Sequence, residues 1–234
     1  MQSYVIAGLR VRMACEGRTE RQAIPYQAEF EGEPDITIDV PETVVERECR
    51  AHPELNADDW RYLLTGKQFA GGLLDHNGLV LHASAVVVDG QAYLFAAPSG
   101  GGKSTHTKLW LEMFPQAFIL NDDKPALRLD ESGNWQVYGT PWSGTEDISR
   151  NASAPLAGIC FLDKGEEDCI VPADDGEAAV RLYEQASRLR QEQQMSQMLS
   201  LIDRLIADVP LYQMTCTITP NAAQMSYRAM QGGK

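Results

Sequence analysis

The chain contains no uninterrupted apolar run near the roughly 18 residues that a membrane helix needs, which excludes a membrane partner of that kind. Its first residues, MQSYVIAGLR, lack a charged region followed by an apolar secretion segment, so a cytoplasmic location is expected. Positive charge is scarce: 20 Lys and Arg stand against 33 Asp and Glu, a net −13. Phosphate backbones are held mainly by Lys and Arg clusters, and this balance argues against nucleic acid as a partner. The five cysteines (15, 49, 160, 169, 216) are odd in number, scattered and without paired spacing, which excludes a zinc or redox motif and leaves reduced structural thiols. There is no internal repeat. What is present is 234 residues, 44% hydrophobic and 23% charged, enough for a real core plus a small appendage.

Apolar alternation over Tyr4–Met13 and Asp35–Val40 predicts strands, and Asn56 offers a helix cap ahead of Trp60, Leu63 and Leu64. These make an N-terminal β-rich section, residues 1–75. From Leu79 to Val88 and from Gln91 to Ala96 run two β-rich segments joined by Asp89-Gly90, the signature of a tight hairpin. A helix is predicted over Ser104–Met113, followed by strands at Phe118–Leu120, Ala126–Leu129, Trp135–Tyr138 and Leu156–Leu162. Helical spacing over Glu177–Leu189 (Val180, Tyr183) and Met195–Ile206 (Met198, Ile202, Leu205) predicts two amphipathic helices. Tyr212–Ile218 is a last strand and Pro220–Met230 a last helix.

The segment Ala97-Pro98-Ser99-Gly100-Gly101-Gly102-Lys103-Ser104 matches the phosphate-loop pattern except that Ala97 replaces its first glycine. A methyl group fits there if φ is negative. Gly100, Gly101 and Gly102 let the main chain wrap phosphates, Lys103 reaches the β- and γ-oxygens, and Ser104 can hold Mg²⁺. Ser99 and Thr105 complete the nucleotide-binding candidates. A chance glycine turn is the plain alternative, but a working loop must sit between an apolar strand and a helix, and this one does. About 18 residues on, a short apolar strand delivers Asp122 and Asp123. One carboxylate can organise Mg²⁺ while the other accepts a hydroxyl proton; the plain alternative is an acidic strand end facing solvent.

Residues Leu79–Leu129 carry a resemblance to the HPr kinase/phosphorylase family and the related ATP-dependent phosphoenolpyruvate carboxykinase core, through Leu81-His82-Ala83, the hairpin strand, Ser99–Ser104 and Leu120-Asn121-Asp122-Asp123. The resemblance implies an α/β fold with a mixed β-sheet P-loop core of that type (residues 76–234), flanking helices and the small N-terminal section. It also implies an antiparallel neighbour to the loop strand, ATP and Mg²⁺ as cofactors, and Asp122 as base toward a serine of a peptide or protein acceptor. Lys103 and Ser104 then meet phosphate and metal, Asp123 is a metal-side carboxylate, and His82 is a catalytic neighbour of the phosphates or simply a buried strand histidine. Related kinases form rings, so a homo-oligomer is an expectation. His52, His76 and His106 read as surface or packing residues.

The family's Glu-x-Arg-Gly strand corresponds to Gln136-Val137-Tyr138-Gly139, where both charged residues are missing. Glu146, in the following Gly139–Glu146 loop, is a candidate for the missing metal carboxylate or a surface acid, and Trp142 a substrate contact or a packing residue. Two alternatives to a serine kinase stay open: a regulatory module that binds ATP without transferring it, and a small-molecule kinase or carboxykinase-like enzyme with acid-binding arginines, for which Arg128 and Arg150 are the candidates.

Overall fold

The computed structural model describes residues 1–187, 189 and 191–231. Near the N-terminus, β1 (Gln2–Ile6) and β2 (Leu9–Met13) form an antiparallel hairpin, and β3 (Ile36–Ile38) adds in parallel to β2. The single run expected over Tyr4–Met13 is folded at Ala7-Gly8, both with positive φ (53° and 72°), as a two-residue hairpin turn demands. The section is also richer in helix than expected, with α1 (Gly17–Ala23), α2 (Glu42–Ala51) and α3 (Ala57–Leu74). The Asn56 side chain caps α3 by accepting the Asp59 N–H at 3.0 Å. Tyr62, Thr65, Phe69 and Leu73 recur at spacings of three and four and bury one face of α3.

The remaining elements are β4 (Gly78–Val80), β5 (Ala83–Val88), β6 (Gln91–Ala96), α4 (Lys103–Met113), β7 (Phe118–Asn121), β8 (Ala126–Leu129) and β9 (Trp135–Tyr138). After them come β10 (Ser153–Lys164), β11 (Cys169–Pro172), α5 (Asp175–Gln185), α6 (Glu192–Asp208), β12 (Leu211–Cys216) and α7 (Pro220–Gln231). They build one mixed sheet in the order β4-β8-β9-β10-β6-β5-β7, with β12 also on β10 and β11 on β12. The long strand β10 makes this possible: Ser153–Pro155 pair with β9, while later residues pair in parallel with β6 on one side and β12 on the other. The loop-bearing strand β6 therefore lies between antiparallel β5 and parallel β10.

Strand periodicity divides the core into two layers. Ala83, Ala85 and Val87 join Leu94, Phe161, Leu182 and Leu205 in an apolar cluster that includes α5 and α6 residues. Val86 and Val88 face the opposite way, with Phe95, Trp110 and Ala222 under α4 and α7. A third cluster joins the N-terminal hairpin and α3 to Val80, Ala126 and Trp142. Trp110 is fully buried without an orphaned donor, because its indole N–H reaches the Ser226 hydroxyl at 3.0 Å.

Three expectations are corrected. The run Leu79–Val88 is two strands, broken at Leu81-His82, so His82 stands at a corner between the two ends of the sheet. Val180 and Tyr183 are exposed (57% and 38%), because α5 turns Ala178 and Leu182 inward instead. Strand β11 is an addition; its residues are all partly or fully exposed, so it lacks the apolar period that marks a buried strand. Among the described residues no helix is long and apolar enough to cross a membrane, and all five cysteines are free.

Candidate nucleotide and phosphate site

The turn after β6 has the geometry that only its residues permit. Gly100 and Gly102 have φ of 73° and 100°, a region costly for any side chain. Gly101 is required for another reason: a Cβ there would lie 2.6 Å from the Ala97 methyl and 2.8 Å from the Pro98 carbonyl oxygen. Ala97 itself is absent from the positive-φ residues, so its methyl group is tolerated where the pattern has glycine. Gly102 leads into α4, whose first N–H groups point along the helix axis toward the turn and create a natural anion site.

Lys103, the first residue of α4, is buried; its ammonium donates to the Ala97 carbonyl at 2.9 Å and to His82 Nε2 at 3.0 Å. Burial lowers its pKa below the ordinary lysine value. His82 is in turn fixed through Nδ1, 3.1 Å from the Gln185 amide oxygen. Because that oxygen can only accept, Nδ1 carries the proton and Nε2 is the free acceptor that Lys103 uses. Burial, Lys124 and Lys103 push the imidazole pKa down to about 4. Neutral at pH 7, His82 makes no ion pair with Asp123, although their closest atoms are 3.4 Å apart.

The acid pair follows β7. Asn121, completely buried, accepts the N–H groups of Asp123 (2.9 Å) and Lys124 (2.7 Å) on its side-chain oxygen. Its amide nitrogen donates to the Thr140 carbonyl at 3.0 Å. This side-chain turn bends the chain just where Asp122 and Asp123 emerge. Asp122 is buried and accepts the Ser84 hydroxyl on Oδ1 at 2.5 Å, and Ser84 lies 3.1 Å from Thr107 on α4. Among the described residues no side chain bonds Asp122 Oδ2.

Lys103, Ser104, Asp122, Asp123, His82, Ser99 and Gly100 line one cavity of about 460 Å³. Its opposite wall comes from the N-terminal section, with Arg18, Leu55, Asp59 and Tyr62. Arg18 stacks on the Tyr62 ring at 3.9 Å and donates to the Gly144 carbonyl, while Gly144 N–H reaches the Tyr62 hydroxyl at 3.0 Å. A second cavity of about 590 Å³ lies on the other side of the loop, walled by Gly100–His106, Leu109, Lys164, Thr217 and Ile218. Thr105 belongs to this second cavity only.

Glu146 lines the first cavity, but both its oxygens accept from Lys108 (3.0 and 2.9 Å). Gln136 bonds Asp130, Arg128 donates to the carbonyls of His76 and Ala7, and Arg150 lies over the Phe118 ring; none of the three lines either cavity. Trp142 is 2% exposed and stacked on Phe69, and it also lines a smaller pocket beside the first cavity. His52 is exposed beside Glu54, His76 bonds the Asp35 carbonyl, and His106 is buried against Phe95. Among the described residues no group of three or more His, Cys, Asp or Glu could hold a metal unaided. The hydroxyl of Ser104 and the carboxylates of Asp122 and Asp123 are hard oxygen donors in one cavity, a set that suits Mg²⁺ sharing its shell with phosphate and water.

Sequence reading missed the contribution of residues before 75, which have no phosphate-binding pattern. It also missed Ser84, although a lone hydroxyl inside the apolar run Ala83–Val88 is a signal of its own.

The model of the family described as SynChlorMet cassette protein ScmC matches residues 72–226, well over half of the 234. The chain belongs to that family. No curated protein matches it. Among solved structures it is similar to the Hpr(Ser) kinase/phosphatase from Coxiella burnetii, at 14% identity and a TM-score of 0.37, over 66% of this chain and 99% of that one.

Proposed function

We propose that this member of the ScmC family binds ATP with Mg²⁺ at the glycine turn and transfers the γ-phosphoryl group to a serine hydroxyl of a peptide or protein acceptor. The observation that carries the reading is the single cavity shared by Lys103, Ser104, Asp122 and Asp123, at the mouth of a turn that only glycines can form. The turn's N–H groups and Lys103 hold the β- and γ-phosphates, and the nucleoside lies in the neighbouring cavity against Leu109 and Ile218. Ser104 and Asp123 would hold Mg²⁺, which when bound would neutralise phosphate charge. Asp122 takes the proton of the acceptor hydroxyl on Oδ2 as the new O–P bond forms and the bond to ADP breaks. Ser84 fixes Oδ1 and so orients the base.

The test uses radiolabelled ATP and a serine-containing peptide library. Wild type transfers label, and Asp122→Asn binds ATP but transfers about 10²–10⁴-fold more slowly. A second reading, an ATP-binding regulatory module, has support from Gln136, whose side chain is tied to Asp130 where the resembling family places a metal-site Glu. Tight ATP binding by wild type with no transfer to any acceptor would establish that reading and remove the first.

A further inference from the structure

Beside the transfer cavity lies a smaller pocket of about 160 Å³ between α3 and the Trp142 loop, and the two share Tyr62 and Leu63 as a common wall. The small pocket is apolar on most sides (Tyr62, Leu63, Val80, Trp142), yet among the described residues its only charged wall residues are Lys67 and Lys124. Two cations and no acid make an unusual lining in a chain whose net charge is −13. Neither ammonium has a hydrogen bond or ion pair among the described residues. Lys124 is firmly placed, because its N–H donates to Asn121 and its carbonyl accepts from Thr140 at 2.7 Å. An unpaired, largely buried cation is costly, and an anion bound beside it would offset the cost.

We propose that this pocket binds a carboxylate carried on a flat apolar or aromatic body, with Lys124 and Lys67 facing the carboxylate and Trp142 and Val80 the body. A carboxylate suits it better than inorganic phosphate, since the described walls other than the lysines and Ser187 offer little to a fully polar ion. The shared wall makes it the seat of the acceptor, a role that rests on the transfer reading above. Binding itself does not depend on that reading.

The test is a fluorine NMR titration of the full chain with 4-fluorophenylacetate, its amide and inorganic phosphate, in samples whose folding and ATP affinity are measured alongside. The acid binds wild type, and the amide binds about tenfold more weakly or not at all. Lys124→Met loses a similar factor, while Lys124→Arg, which keeps the charge, retains part of the affinity. Equal binding of acid and amide overturns the proposal, as does Lys124→Met binding the acid like wild type, no binding of the acid to folded wild type, or phosphate binding more tightly than the acid. ATP binding without binding of the acid removes the pocket and leaves the kinase reading. The reverse result leaves the pocket and removes the kinase reading.

Discussion

Replacing Asn121 by leucine, branched at the same γ-carbon, tests whether the acid pair is held by the buried side-chain turn. The substitution strips partners from the N–H groups of Asp123 and Lys124, which Asn121 now satisfies at 2.9 and 2.7 Å. It also removes one donor from the Thr140 carbonyl, but that oxygen keeps the Ser149 hydroxyl at 2.9 Å and adds little to the cost. An unsatisfied buried donor costs about 1–3 kcal/mol; with both donors only partly buried, the sum is about 2–4 kcal/mol. For a chain of this length that lowers Tm by about 5–15 °C. Urea denaturation followed by circular dichroism reads the loss as a lower midpoint at constant slope. Asn121→Asp separates the two halves of the turn, since it keeps the acceptor for both N–H groups and loses the donor toward Thr140. A leucine variant within about 0.5 kcal/mol of wild type would refute the account of how Asp122 and Asp123 are placed.

Gly101→Ala should abolish ATP binding and cost about 1–3 kcal/mol of stability, because its methyl group meets Ala97 and Pro98 at 2.6 and 2.8 Å and must distort the turn; Ala97→Gly should bind normally, and isothermal titration calorimetry reads both binding effects. His82 has its folded pKa lowered to about 4, so its stabilising effect is present above the unfolded value near 6.5 and is lost as pH falls between about 6.5 and 4. His82→Gln should flatten the stability profile in that window, and the His82 ring proton signals should not titrate between about pH 7 and 5.5 in NMR spectra. Glu146→Gln should leave the Mg²⁺ dependence of ATP binding unchanged and cost less than about 1 kcal/mol, since it breaks only the half-exposed pair with Lys108; a weakened Mg²⁺ dependence would give Glu146 a metal role after all.

Local chemistry was legible where it is encoded in few residues. Asp89-Gly90 announced the hairpin that feeds the glycine turn, and the two strands pair in the register such a turn requires, Val88 opposite Gln91. The strands Ala126–Leu129 and Trp135–Tyr138 were bounded by turn residues and occur at those limits. The break at Leu81-His82 was hidden because both halves are apolar on both faces; a run buried everywhere has no period to reveal a corner. On α5, Val180 and Tyr183 share the helical spacing of an inward face, yet the helix packs on α6 and turns Ala178 and Leu182 inward, a choice set by tertiary packing that the spacing alone does not fix. The N-terminal wall of the cavity, Arg18 and Tyr62, was out of reach for sequence reading, since it depends on how a helix around residue 18 meets a loop around residue 144.

The placement of lysine shows how so acidic a chain can attract an acidic ligand. All five described lysines serve the three cavities around the glycine turn. Lys103 stands between the two larger ones, Lys164 lines the second, Lys67 and Lys124 line the small pocket, and Lys108 neutralises Glu146 at the rim of the first. Several arginines, by contrast, are paired with carboxylates elsewhere, as Arg10 is with Asp35, Arg61 with Glu42 and Arg181 with Asp163. A cation already paired contributes little field beyond its partner, whereas the ammonium groups of buried Lys103 and part-buried Lys124, with no carboxylate bonded to them, focus potential where they stand. Nucleotide binding should therefore weaken with salt far less than binding that relies on the overall charge of a protein, because the relevant separations lie well inside the Debye length of about 8 Å at physiological ionic strength. Measured between about 0.05 and 0.5 M potassium chloride, a steep fall in ATP affinity would show that the long-range field of the acidic surface, and not this local cluster, controls access to the site.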